Sequence, residues 1–296
     1  MSKHFGKCAL CGKECELSYE HIPPEAAFNS GRSRMYSGEQ ILFDNDRLPW
    51  DVQGLQYVSH QQGSGKYSLC ADCNSNTGSW YGDSYKDFAY SIAGILKTAE
   101  NDSILEIKMD GIYGARFIKQ VISMFCSVNN HCLLDGYREK KNRDAVSHSA
   151  LAQTLFDAQM ELYDAAVLVD ELRSFVLDKD AIGLDKSKFK ICMYATKSNL
   201  IKFDGISIVG NLFENHFWAI SEITAAPLGF LIYFNPPENL KHIGVDITAL
   251  ADYGYNEKLD IEFPLYILEM NTVLPNDYRT KEQIENCINN SKRCKK

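Results

Sequence analysis

The segment CALCGKECELSYEHIPP, residues 8–24, carries two thiols three positions apart and, nine positions past the second, an acid, an imidazole and a double proline. A second cysteine pair follows in YSLCADCNSNTG, residues 67–78. Cys8, Cys11, Cys70 and Cys73 together supply four thiolates, enough for a closed tetrahedral zinc site. One CxxC is a weak signal, whereas two in one short region form a set. The 58 residues between the pairs exceed the spacing of a simple zinc ribbon, so a clamp built from them must bridge an inserted structure. Cys15 has no partner in sequence and reads as a bystander thiol. Glu20 offers a hard carboxylate, and His21 an imidazole, the residue type whose protonation changes near neutral pH. Asn74, directly after the second pair, offers an amide oxygen.

These residues need elements to position them. Up to about residue 82 the chain is rich in Gly, Ser, Asn, Cys and aromatics, which fits short strands and loops held by a metal rather than by a core of their own. The first cysteine pair reads as a tight knuckle, and the second sits where a loop turns into a helix. Phe88, Ile92 and Leu96 recur every four positions and predict a helix from Trp80 to about Ala99, with a break at Asn101 and Asp102. Beyond it SILEIKM alternates as a strand does, and GARFIKQVISMFCSV reads as a helix. Leu151, Leu155, Phe156, Met160, Tyr163 and Val167 form a second helical stripe. KFKICMYA, GISIVG, HFWAISEI, LGFLIYF and FPLYIL then read as strands. Strands arriving in succession after helices favour an antiparallel or mixed sheet, so the fold class is α+β. The expected division is a zinc-containing module at 1–100 and an α+β domain at 101–296.

Taken together, CxxC, then Glu20-His21 followed by prolines, then CxxC-Asn heading a helix with Asn76, Thr77 and Gly78 behind it, resembles the HNH endonucleases of the ββα-metal class. The resemblance covers roughly residues 5–85. It implies a strand ending in the acid–imidazole pair, a helix after the second CxxC carrying the remaining ligand, and a structural zinc tying strand to helix. It further implies metal-dependent phosphodiester hydrolysis, with His21 as the base, Glu20 and Asn74 as ligands of a catalytic Mg²⁺ or Mn²⁺, and Asn76 as the fallback ligand. The chemistry suits those types: a base takes a proton from water while a cation offsets charge building on the phosphate. The final histidine of the family pattern is absent, since Asn74 runs on through Ser75, Asn76, Thr77, Gly78, Ser79 and Trp80. The stretch QQGSGKYS reads equally as a substrate-contacting turn or a plain connection.

The bulk numbers constrain the partner. The chain has 296 residues, 45% of them apolar, and a formal charge of −8, which argues against a surface that grips nucleic acid everywhere. Residues 1–90 hold 8 Lys or Arg against 11 Asp or Glu, a net −3. Arg32, Arg34 and Lys66 are the nearest cations for phosphates. DNA is the favoured nucleic acid over RNA. The basic end SKRCKK reads as a solvated terminus. No stretch approaches 18 continuous apolar residues and the start lacks the apolar run of a secretory signal, so the expected location is cytoplasmic, with no membrane partner and with ten reduced cysteines. Stand-alone proteins of this resemblance are found in bacterial restriction and anti-phage defence, where a second domain would select substrate, assemble a homo-oligomer or receive an activating partner. The rival reading is a non-catalytic sensor or adaptor, with the zinc module as an interaction surface. Trp80, Tyr81 and Tyr85 suit packing better than base stacking, and His131-Cys132 lacks the geometry of a nucleophile pair.

Overall fold

The computed structural model describes residues 3–36, 52–99, 103–131, 134–135, 150–197, 201–211 and 216–268. Cys132 and the basic end SKRCKK lie outside the described residues. Three short strands, β1 (Phe5–Lys7), β2 (Glu14–His21) and β5 (Gly65–Cys70), form an antiparallel sheet with β2 in the middle. The knuckle joining β1 to β2 closes by Cys8 N to Lys13 O at 2.9 Å and Gly12 N to Cys8 O at 2.9 Å. Gly12 adopts a φ of +72° there, a conformation that costs glycine nothing. Between β2 and β5 the chain makes a separate two-stranded ribbon from β3 (Ser33–Tyr36) and β4 (Tyr57–His60).

Cys70 ends β5 and caps the next helix, α1 (Ala71–Thr77), its Sγ accepting the Cys73 amide at 3.4 Å. A π-helical turn, Gly78–Gly82, leads without a break into α2 (Asp83–Thr98), which buries Tyr85, Phe88, Ile92 and Leu96 along one side. The spacing of four therefore marked the face correctly, and the helical run begins earlier than Trp80.

The remainder carries β6 (Ile104–Ile112), α3 (Gly114–Val128), α4 (Ala150–Leu177), β7 (Phe189–Thr196), β8 (Lys202–Asn211), β9 (His216–Ala225), β10 (Leu228–Phe234), β11 (Val245–Asp246) and β12 (Leu259–Leu268). These strands make one sheet in the order β6-β12-β7-β10-β9-β8, with β11 also paired to β7. All pairings are antiparallel except β12 with β7, so the sheet is mixed and the architecture α+β. Every residue of α3 but Arg116 is buried, the polar Lys119, Gln120, Ser123 and Ser127 included. The apolar interior is continuous across residue 100: Cys8, Leu10, Ile22, Leu69 and Cys73 belong to the same cluster as Tyr81, Phe117, Phe125, Leu172, Ile191 and Phe230. A smaller cluster, Cys192, Tyr194, Ile220, Leu231 and Tyr233, packs separately. Among the described residues no helix is long and apolar enough to cross a membrane.

Candidate functional site

The two cysteine pairs meet. The sulfurs of Cys8, Cys11, Cys70 and Cys73 all lie within 4.8 Å of one another, so the cluster can hold a metal ion. Backbone groups are already aimed at sulfur: the Cys70 amide donates to Cys8 Sγ at 3.3 Å, and the Cys73 amide to Cys70 Sγ. The Cys73 thiol, with the backbone amides of Cys70, Cys11 and Leu10, holds Cys8 down to about 4, while Cys73 itself is raised by the thiolate it faces. A set that already stabilises one thiolate fits a cation that would turn all four into ligands. Cys15 is half-buried beside the cluster, its thiol pushed up mainly by burial.

Strand alternation then sorts the other candidates. On β2, Tyr19 and His21 share a face, their rings in edge contact at 5.2 Å, and Glu20 points to the opposite, buried side. Glu20 is 3% exposed, and its Oε2 has no hydrogen-bond partner. Burial, with Cys8 adding repulsion, raises its carboxyl to about 8. Asn74 lies against β2 from α1, its Nδ2 donating to Ser18 Oγ and to Tyr19 O, each at 3.0 Å. Neither bond uses the amide oxygen. His21 is half-buried, its Nε2 2.7 Å from Gln62 O. A carbonyl only accepts, so Nε2 carries the ring hydrogen and Nδ1 is left with the lone pair. The structure thus brings Glu20 and His21 to opposite sides of one strand and fastens Asn74 at its middle.

The cations separate likewise. Arg34 is exposed on the ribbon, its guanidinium 4.7 Å from the Tyr57 ring centre, and Arg32 donates from Nε to Gln61 Oε1 at 3.0 Å. Lys66 instead turns inward, Nζ reaching Val128 O at 3.4 Å, and burial lowers its ammonium. Tyr81 and Tyr85 pack in the interior, Tyr81 donating to Val176 O at 2.7 Å.

Four residues that shape the site went unnoticed in the sequence. Asn29, 3% exposed, donates to Pro23 O at 2.6 Å and Ser64 O at 2.8 Å and accepts from the Ser64 amide at 2.7 Å. It thereby ties the loop after His21 to the QQGSGKYS stretch, which is a close-packed connection: a Cβ on Gly63 would lie 1.9 Å from Asn29 O, and one on Gly65 1.9 Å from Glu20 O. Tyr19 Oη lies 3.1 Å from His60 Nδ1 and donates to Gly63 O at 3.2 Å. Arg173, 4% exposed, reaches from α4 to Ala9 O at 2.6 Å and Asn129 O at 3.3 Å, with Asp170 Oδ1 at 2.5 Å. The two glycines flanking Ser64 were a signal for the tight approach, but no local pattern named its partner.

Compared with family models, curated proteins and solved structures, the chain matches none.

Proposed function

We propose that the protein is a metal-dependent HNH-type endonuclease that hydrolyses phosphodiester bonds, DNA in preference to RNA, with a role in bacterial restriction or anti-phage defence. The observation that carries this reading is the unit itself: two antiparallel strands and a helix clamped by four cysteines, with the first of those strands ending in an imidazole whose Nε2 is fixed by Gln62 O and whose Nδ1 is left to accept a proton. Zinc is the ion for the four sulfurs, a structural role that leaves no coordination position for substrate. Glu20 and Asn74 would hold a Mg²⁺ or Mn²⁺ ion: the unpartnered Glu20 Oε2 and the uncommitted amide oxygen of Asn74 are hard donors of the kind such ions take. That ion would supply charge neutralisation at the phosphate. His21 would remove the proton from the attacking water through Nδ1, while Gln62 O keeps the ring from turning. Arg34 on the ribbon and Arg32 just before it would be the cations that meet the phosphate backbone.

The opposite orientations of Glu20 and His21 favour a second reading, a zinc-containing sensor or adaptor that binds nucleic acid, a ligand or a protein without cutting. One experiment separates the two. Purified protein is given supercoiled plasmid, linear duplex, single-stranded DNA and RNA with Mg²⁺ or Mn²⁺, beside an EDTA control and His21→Ala. The nuclease reading expects cutting that EDTA abolishes and that falls at least about 100-fold in His21→Ala with zinc retained. No cutting by the wild type on any substrate, with one zinc bound per chain, would leave the sensor.

A further inference from the structure

We propose that His60 is a second catalytic residue of this site, the acid that protonates the leaving oxygen of the phosphodiester; this rests on the nuclease reading above. Hydrolysis of an alkyl phosphodiester has two proton problems. Water must lose a proton as it attacks phosphorus, and the departing alkoxide, a strong base, must be neutralised as the P–O bond breaks. His21 answers the first. Glu20 points to the other side of β2 from His21 and, as a ligand of the ion, is not free to answer the second.

On that open face a second imidazole stands beside the same tyrosine. Tyr19 contacts His21 edge-on, with ring centres 5.2 Å apart, and stacks on His60 at 5.8 Å with 27° between the planes. His21 and His60 thus flank one phenol ring, and both are half-buried, open to solvent but held. Each is fixed by the same turn: His21 by Gln62 O, and His60 through Tyr19 by Gly63 O.

The hydrogen bonds also assign the protons. Gly63 O can only accept, so the single Tyr19 hydroxyl hydrogen goes there, and the phenol oxygen accepts from His60 Nδ1–H. His60 can therefore exchange a proton with a substrate only through Nε2. His21 has the same arrangement with the nitrogens exchanged, Nε2–H spent on Gln62 and Nδ1 open. Two open nitrogens beside one phenol let one ring serve as its neutral form, the base, and the other as its imidazolium form, the acid. The step balances when His60 enters it as the imidazolium: water adds its oxygen to phosphorus, its proton passes to His21 Nδ1, the P–O bond to the leaving nucleoside breaks, and that oxygen takes the proton from His60 Nε2. His21 ends protonated and His60 neutral, and exchange with solvent resets both.

The test uses the dependence of rate on the leaving group. A nucleic acid loses an alkoxide that needs a proton, whereas bis(p-nitrophenyl) phosphate loses an aryl oxide that departs without one. His60→Ala is expected to lose about 100-fold or more in kcat on nucleic acid and under about tenfold on the aryl diester, while His21→Ala loses heavily on both. Zinc content and melting midpoint establish that each variant is folded. If His60→Ala does not fold, Tyr19→Phe carries the test, since it removes the oxygen that orients His60; the same selective loss is expected, at about tenfold. Equal losses of His60→Ala on the two substrates, or no loss on nucleic acid, would overturn the assignment while leaving the nuclease reading intact. A wild type inactive on every substrate would overturn both.

Discussion

Glu20 is a carboxyl group kept from water beside a thiolate, and its protonation has a direction that can be worked out. Its ordinary value is 4.5, and burial lifts it to about 8 in the folded protein. Between those values the unfolded chain has released the proton and the folded one still holds it, so without a divalent ion stability falls as pH climbs through that window. A hard cation must displace the same proton to use Glu20 as a ligand. The apparent affinity for Mn²⁺ or Mg²⁺ is therefore expected to rise by about tenfold per pH unit between pH 6 and 8, and the dependence to vanish in Glu20→Gln. Titration calorimetry at several pH values measures it. A pH-independent affinity, or one unchanged in Glu20→Gln, would show that the ion sits elsewhere.

Among the elements, the connection from β2 to β5 is stiffened by one side chain. Asn29 satisfies three backbone groups in a site closed to water, and Gly63 and Gly65 leave no room for a replacement contact. Asn29→Ala strands those groups and is expected to cost about 2–4 kcal/mol in urea unfolding while the cysteine cluster keeps its metal. A cost below about 0.5 kcal/mol would mean that the loop relaxes freely. Elements of this kind also show what a sequence reveals. The helix read as GARFIKQVISMFCSV is α3 to the residue, Gly114–Val128, because apolar periodicity is local and written in the chain itself. The four cysteines were equally legible, since few residue types bind a soft cation. Asn29, Tyr19 and His60 were not: each has an ordinary type, and its significance comes from a partner brought in across the strands, 35 to 44 positions away.

The whole molecule is bound together through the knuckle. Arg173 on α4 holds Ala9 O from 164 positions away and Asn129 O at the end of α3, while Asn129 in turn bonds Ser221 Oγ and the Ile206 amide in the large sheet. Lys7 meets Asp135 at 3.3 Å, and the site of a Cβ on Gly12 lies 3.6 Å from His131 Nε2. With the apolar interior also continuous, loss of the metal is expected to be felt everywhere. Cys70→Ser should abolish zinc binding and lower a single calorimetric transition by at least about 10 °C, because a structural metal site is itself folding energy. A second transition left at the wild-type temperature would show that residues 101–296 stand alone. No local pattern announces such long-range ties, since an arginine in a helix looks the same whether it faces water or a carbonyl 164 positions away.

The tie between Ala9 and Arg173 has a bearing on the order of events during synthesis. All four cysteines and His21 leave the ribosome early, yet the arginine that anchors the knuckle is made 100 residues after Cys73, a delay on the order of ten seconds at ordinary translation rates. For that interval the strands around His21 lack their support, so under the proposed nuclease function a nascent or truncated chain is expected to be incompetent, and the capacity to cut to arrive only once α4 is in place. Such a nuclease would thus be armed late in its own making.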